Sequence, residues 1–332
     1  MHELAFPLLV GLIAIALVFD FLNGLHDAAN SIATVVSTQL LSPVAAVVFA
    51  AAGNFAAYWI VGLHVAETVG KGIIDKDVVT PAVVFGALIG AMFWNVVTWH
   101  KGIPSSSSHA LIGGLLGAGV AHSGFGAIES EGTTKTIVAI FLSPLIGFGI
   151  AMGLMLATSV LFQRVSPRKA NSSFKSLHLV SSAAYSISHG GNDAQKTMGV
   201  ITVLLYSTGF LGGEFHVPEW VVLSCYAAIS LGTFSGGWRI IKTMGTRLTR
   251  LNHHSGFCAS TAGSIVVFGA SAMGIPVSTT HAITGSVVGT GAARRASAVR
   301  WTVATRVVIA WFITIPASAA VGAGFYLLTR LF

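Results

Sequence analysis

Charged residues are scarce in this chain. Asp, Glu, Lys and Arg make up 9% of its 332 residues, against roughly 25% in an average soluble domain. A soluble fold of that length could not cover its surface with so few charges. Cysteine is nearly absent: Cys225 and Cys258 lie far apart, match no metal or redox spacing, and carry no information about compartment. The N-terminus, MHELAFPLL, lacks the basic start of a secretory signal, so its apolar run is expected to be a retained span. What is abundant is apolar. Hydrophobic residues are 54% of the chain, and Gly, frequent in packed transmembrane helices, numbers 38. Composition therefore indicates an all-α, polytopic membrane protein embedded in a lipid bilayer. The formal net charge of +7 does not indicate nucleic acid, because the basic residues lie in short loops between apolar spans, where they set orientation.

A span needs about 20 apolar residues. The runs 4–22, 43–66, 136–162, 220–237 and 301–328 are good candidates. The runs 80–98 and 257–273 are each followed by a Gly-Ile-Pro break, Gly102-Ile103-Pro104 and Gly274-Ile275-Pro276, and then by a Gly-rich run. Segments 23–38 and 177–205 are mostly apolar but carry Asp, His and Asn. Residues 163–175, 238–252 and 293–306 each hold four Lys or Arg and no acid, whereas 67–77, 121–135 and 206–219 are mainly acidic. The positive-inside rule places the basic group in the cytoplasm. Threading the chain accordingly puts both termini outside. It gives a first repeat at 1–162, a cytoplasmic connecting loop at 163–176 and a second repeat of inverted topology at 177–332. Each half contains a helical hairpin that enters and leaves on one side, either re-entrant or spanning.

The repeat is visible in the residues themselves. GIPSSSSHA at 102–110 aligns with GIPVSTTHA at 274–282, an offset of 172, and Gly113, Gly117 and Gly119 match Gly285, Gly289 and Gly291. A second pair, Asn23 to Asn30 and His189 to Lys196, aligns at offset 166. Inverted repeats with interrupted helices mark secondary transporters, with the site near the repeat interface.

Pro104 and Pro276 interrupt a helix, and the Ser and Thr that follow favour a new helix start. Such a start inside a membrane presents free N–H groups and a partial positive charge, so Ser106, Ser107, Ser108, Ser278, Thr279 and Thr280 are candidate contacts for a tetrahedral oxyanion. His109 and His281 occupy matched places beside them. The competing reading is that these hydroxyls only cap a structural break. Asp20, Asp27 and Asp193 are the acids within apolar spans, and a buried carboxylate there is functional by default. Asp20, Asn23, Asp27, Asn30 and Thr34 share one helix face, as do Ser186, His189, Asp193 and Lys196. A cation at Asp27 and Asp193, flanked by Asn23, Asn192 and His26, would offset the charge of an entering anion. Asn30, Gln195 and Lys196 are further candidates for the anion. Gly24, Gly190 and Gly191 are expected to let the backbone unwind and offer carbonyls. The bland alternative is that the stripe is polar glue between helices. His26 sits beside Asp27; a histidine can relay a proton, or it donates one structural hydrogen bond. His100 and Lys101 read as interfacial.

The motifs NGLHDAANSIATV and SHGGNDAQKTMGV, with GIPSSSSHALIGG and GIPVSTTHAITGS, resemble the duplicated signatures of the Pit family of inorganic phosphate transporters. The resemblance covers nearly the whole chain. It implies an inverted-repeat helical fold in a bacterial cytoplasmic membrane and phosphate uptake coupled to protons, sodium or a divalent metal–phosphate complex. It also implies cation contacts at Asp27 and Asp193 and phosphate contacts at both hairpin tips. A homodimer is a candidate assembly, and no resident cofactor or metal is expected. Sodium-dependent members typically read Asn-Asp where this chain reads His26-Asp27, which favours protons or metal–phosphate over sodium. The residues alone leave open a sodium-coupled symporter, a sulfate permease on the same scaffold, a passive channel and, more remotely, an intramembrane hydrolase using Ser, His and Asp.

Overall fold

The computed structural model describes residues 2–331, which are 83% helical with no strand among them. Twelve α-helices follow in order among these residues: α1 His2–Ser37, α2 Pro43–Ala56, α3 His64–Gly72, α4 Pro81–Lys101, α5 Ser107–Ser123, α6 Ser130–Leu161, α7 Pro167–Ser207, α8 Glu219–Ser235, α9 Trp238–Lys242, α10 His253–Ala272, α11 Thr279–Arg294 and α12 Trp301–Thr329. Local chemistry sets many of the ends. Ser42 and Thr80 cap α2 and α4 just before a proline at the first helical position. A capping box of Asn252 and Ser255 starts α10. Helix α4 ends where Gly102 takes φ +64°, and the repeat-related Gly274 takes φ +67° after α10, a conformation that favours glycine.

Five helices, α1, α4, α6, α10 and α12, are long and apolar enough to cross a membrane, and up to seven spans result if each bent pair counts as one. Helix α7 is too polar to count among these, yet it is buried over most of its C-terminal half. Its polar residues face protein rather than lipid, as intramembrane polar groups must. Exposed apolar side chains such as Leu145 on α6 and Phe312 on α12 suit a lipid-facing flank. Helices α5 and α11, of 17 and 16 residues, are the shorter arms of the two hairpins; α4 and α10, of 21 and 20, are the longer ones. Helix α5 packs on α12 and α4, and α11 packs on α6 and α10. Helix α1 lies along α8, and α7 lies along α2 and α10.

Three expectations need correction. Helix α1 runs unbroken through Gly24, and α7 through Gly190 and Gly191. These glycines serve close approach rather than unwinding: a Cβ on Gly24 would lie 2.1 Å from the backbone oxygen of Ile229, and one on Gly190 2.5 Å from the Cα of Asn54. The run 43–66 is not one straight helix, because α2 passes through a 3-10 turn at Ala57–Trp59 and bends by 83° into α3. Most of the expected loop 163–176 is helical, since Ser166 and Pro167 start α7 there.

Candidate functional site

Both hairpin tips begin their second helix in the same way. The Ser106 hydroxyl accepts from the N–H of His109 at 3.2 Å, and Ser278 accepts from the N–H of His281 at 3.1 Å. These two serines are therefore N-caps. The next hydroxyl in each tip reaches an acid. Ser107 donates to Asp27 Oδ2 at 2.9 Å, with Asn23 Oδ1 at 2.6 Å as its competing acceptor. Thr279 donates to Asp193 Oδ2 at 2.9 Å. The third hydroxyls meet the polar stripes. Thr280 accepts from Asn30 Nδ2 at 2.9 Å and lies 3.4 Å from Asp27 Oδ1. Ser108 accepts from Lys196, whose ammonium also donates to Asp193 Oδ1 and to the carbonyl of Val277. All of these side chains are buried. Lys196 thus spends one donor on each tip and a third on Asp193, with which its charge pairs.

His26 and Asp27 are in contact on an intact helix: His26 Nδ1 lies 2.7 Å from Asp27 Oδ1. His26 Nε2 lies 3.1 Å from the Thr98 hydroxyl. That hydroxyl also reaches the carbonyls of Trp94 at 2.9 Å and Asn95 at 3.2 Å. On the other side, His189 Nε2 sits 3.2 Å from Asp193 Oδ2, and its Nδ1 pairs with Asn54. Asp27, His189 and Asp193 each offer one ligand atom within 4.8 Å of the others, so a small cation could be held there. The rings of His109 and His281 meet edge to face at 4.4 Å, and His281 stacks on Trp311. Both nitrogens of His109, Nε2 of His281 and Oδ1 of Asn30 are buried without a hydrogen-bond partner. Buried polar groups are normally paired, so these fit a place where a polar ligand completes them.

The family model described as the phosphate transporter family matches residues 23–322. The chain belongs to this family. It is 62% identical over 96% of its length to a probable low-affinity inorganic phosphate transporter of Rhizobium meliloti (strain 1021), covering 96% of that protein. It is 42% identical, again over 96% of both chains, to a protein of the same description from Bacillus subtilis (strain 168). Among solved structures it resembles one described as "The sodium-dependent phosphate transporter", with TM-score 0.91, 25% identity, and coverage of 98% of this chain and 100% of that one. The protein is a multi-pass membrane permease for phosphate rather than an enzyme.

Not every residue singled out in this transporter's sequence joins the cluster. Gln195 turns to backbone: its Nε2 donates to the carbonyls of Gly62 and Gly191, and its Oε1 accepts from the N–H groups of Val65 and Ala66. It ties the start of α3 to α7, so nothing of its amide is left for an anion. Asn192 donates to Ser271 instead of facing Asp193. Asp20 accepts from Thr197 at 2.9 Å, outside the contacts of the other two acids. Two residues that sequence reasoning missed are Thr98 and Asn54. Asn54 carried a signal, as a lone amide inside the apolar run 43–66. Thr98 carried none, because its role depends on α4 lying against α1.

Proposed function

We propose that this transporter is a symporter that imports inorganic phosphate together with protons, free or accompanying a divalent metal–phosphate complex. The observation that carries this reading is the bonding of the tip hydroxyls. A hydroxyl has one hydrogen; Thr279 donates its own to Asp193, and Ser107 lies between two acceptors, Asn23 Oδ1 at 2.6 Å and Asp27 Oδ2 at 2.9 Å. Neither can hold an anion at the same time. A proton placed on the His26–Asp27 pair weakens the carboxylate as an acceptor and leaves Asn23 alone to compete with phosphate for the Ser107 hydrogen. Phosphate would then lie between the starts of α5 and α11. Their first-turn N–H groups lack intrahelical partners, and Ser107, Ser108, Thr279 and Thr280 would add hydroxyl donors. Lys196 and Asn30 would supply the flanking charge and amide. Binding of cation and anion is in this way mutually dependent, which is what symport requires. The same reading takes the membrane to be a bacterial cytoplasmic one, in keeping with the bacterial relatives, and loop charge supports both termini outside and two inverted halves.

Sodium is the second reading. It is favoured by the convergence of Asp27, His189 and Asp193 and by the sodium dependence for which the structural relative is named. The two separate in proteoliposomes loaded with potassium buffer and given labelled phosphate. Proton coupling expects uphill uptake without sodium, faster as external pH falls, and a flattened pH profile in His26→Asn. Wild-type uptake that stops when sodium is removed would overturn it.

A further inference from the structure

Two cavities cap the two hairpin turns, away from the buried cluster. One, of about 530 Å³, is lined by the turn Gly102-Ile103-Pro104 with Lys101, Arg247 and Arg306. The other, of about 330 Å³, is lined by the turn Gly274-Ile275-Pro276 with Glu67, Glu129, Glu131, Lys71 and Lys135. The sequence repeat accounts for a Gly-Ile-Pro turn lining each cavity, since the two turns align at offset 172. It does not account for the charge. The second cavity mixes three carboxylates with two ammoniums, while the first has three cations and no acid in its lining.

The three cations come from separate elements. Lys101 ends α4, Arg247 ends the π-helical turn Thr243–Arg247, and Arg306 lies near the start of α12. No single helix face explains their meeting. All three are exposed, and none forms an ion pair among the described residues. Like charges gathered at one cavity repel unless an anion joins them. The turn they surround is fastened to the same wall: Thr243 donates to the carbonyl of Gly102 at 2.9 Å, and Trp311 donates to that of Pro104 at 3.3 Å. Thr98, the partner of His26, also lines the cavity, which therefore abuts the buried site. The remaining lining is largely apolar and includes Ile309 and Ile313, 51% and 48% exposed on the flank of α12.

We propose that Lys101, Arg247 and Arg306 form a second phosphate-group site, separate from the buried one, beside the first hairpin turn on the face that loop charge assigns to the cytoplasm. Two guanidiniums and an ammonium grip a phosphate group by charge-assisted hydrogen bonds. The group has two sources. One is inorganic phosphate at the inner mouth of the path. The other is the headgroup of an anionic phospholipid whose chains lie along Ile309 and Ile313. Either would rest against residues 102–104 and hold that turn in place.

The test uses the full chain in detergent and reads binding, not transport. One arm measures equilibrium binding of labelled inorganic phosphate. The other measures retention of phosphatidylglycerol against phosphatidylcholine by native mass spectrometry. Both compare wild type with Lys101→Gln/Arg247→Gln/Arg306→Gln. The comparison is repeated on a Ser107→Ala/Thr279→Ala background, so that a failure of the buried-site reading is seen separately. The exposed single change Arg306→Glu stands in if the triple variant does not fold. A loss of about tenfold or more, the effect of removing a charged hydrogen bond, is expected in one arm. Loss in the phosphate arm assigns the site to inorganic phosphate, and loss in the phosphatidylglycerol arm assigns it to the lipid headgroup. Unchanged binding in both arms, or equal retention of the two lipids together with unchanged phosphate binding, overturns the proposal.

Discussion

One hydrogen per hydroxyl is the constraint that governs Ser107 and Thr279. Thr279 spends its hydrogen on the buried carboxylate of Asp193, and Ser107 shares its own between Asn23 and Asp27; the proposed site requires both to turn toward the anion. Ser107→Ala and Thr279→Ala should each weaken phosphate binding by roughly 1 kcal/mol or more, about fivefold, measured by isothermal titration. Unchanged affinity in both single variants and the double variant would remove the tips from the binding site. Asp27→Asn and Asp193→Asn should each abolish accumulation in proteoliposomes while the protein still inserts; wild-type accumulation in either would separate that acid from coupling. Gln195 gives a contrasting expectation. Its amide serves the first N–H groups of α3. Gln195→Ala should therefore lower stability by about 1–3 kcal/mol through unpaired buried groups. It should leave phosphate affinity unaltered in the fraction that stays folded. A selective loss of affinity without loss of stability would return Gln195 to the anion site.

At the level of elements, the glycines in α1 and α7 are contact surfaces. Helices α1 and α8 approach so closely at Gly24 that a Cβ there would collide with backbone, which cannot rotate out of the way. Ala is a better helix former than Gly by about 0.8–1.0 kcal/mol, but separating two packed helices costs about 1–3 kcal/mol. The clash wins, so Gly24→Ala should lower the thermal midpoint in detergent. Gly149 on α6 is the control: it is exposed, and a Cβ there meets nothing within 4 Å. Gly149→Ala should leave the midpoint unchanged or raise it. Equal effects at the two sites would mean that propensity, not packing, decides.

For the whole molecule, the pattern of partners matters more than any one helix. The second arm of each hairpin packs on a long helix of the other half, α5 on α12 and α11 on α6. The two tips therefore meet, with His109 against His281 and Lys196 bonded to both. The inverted arrangement inferred from loop charge has a direct check. Single cysteines introduced at Ser172 and Glu214, in a background without Cys225 and Cys258, should be labelled by an impermeant maleimide from opposite sides of the membrane. Labelling of both from one side would reject the threading.

Composition by itself determined the class of protein, because only lipid can cover a surface so poor in charge. The residues also located both hairpin breaks and the two buried acids that meet them, since Gly-Ile-Pro followed by hydroxyls, and Asp inside an apolar run, each have few physical explanations. Their local reading went wrong at Gly24, Gly190 and Gly191, where freedom to unwind and room for a neighbouring helix look identical in one dimension. Only the tertiary structure could decide between them, because the deciding atoms, Ile229 and Asn54, lie far away in the chain. The same holds for Thr98 beside His26, and for the two arginines that join Lys101 at the first turn. Hydrogen bonds and charge clusters depend on distance in space, and the fold alone sets that distance.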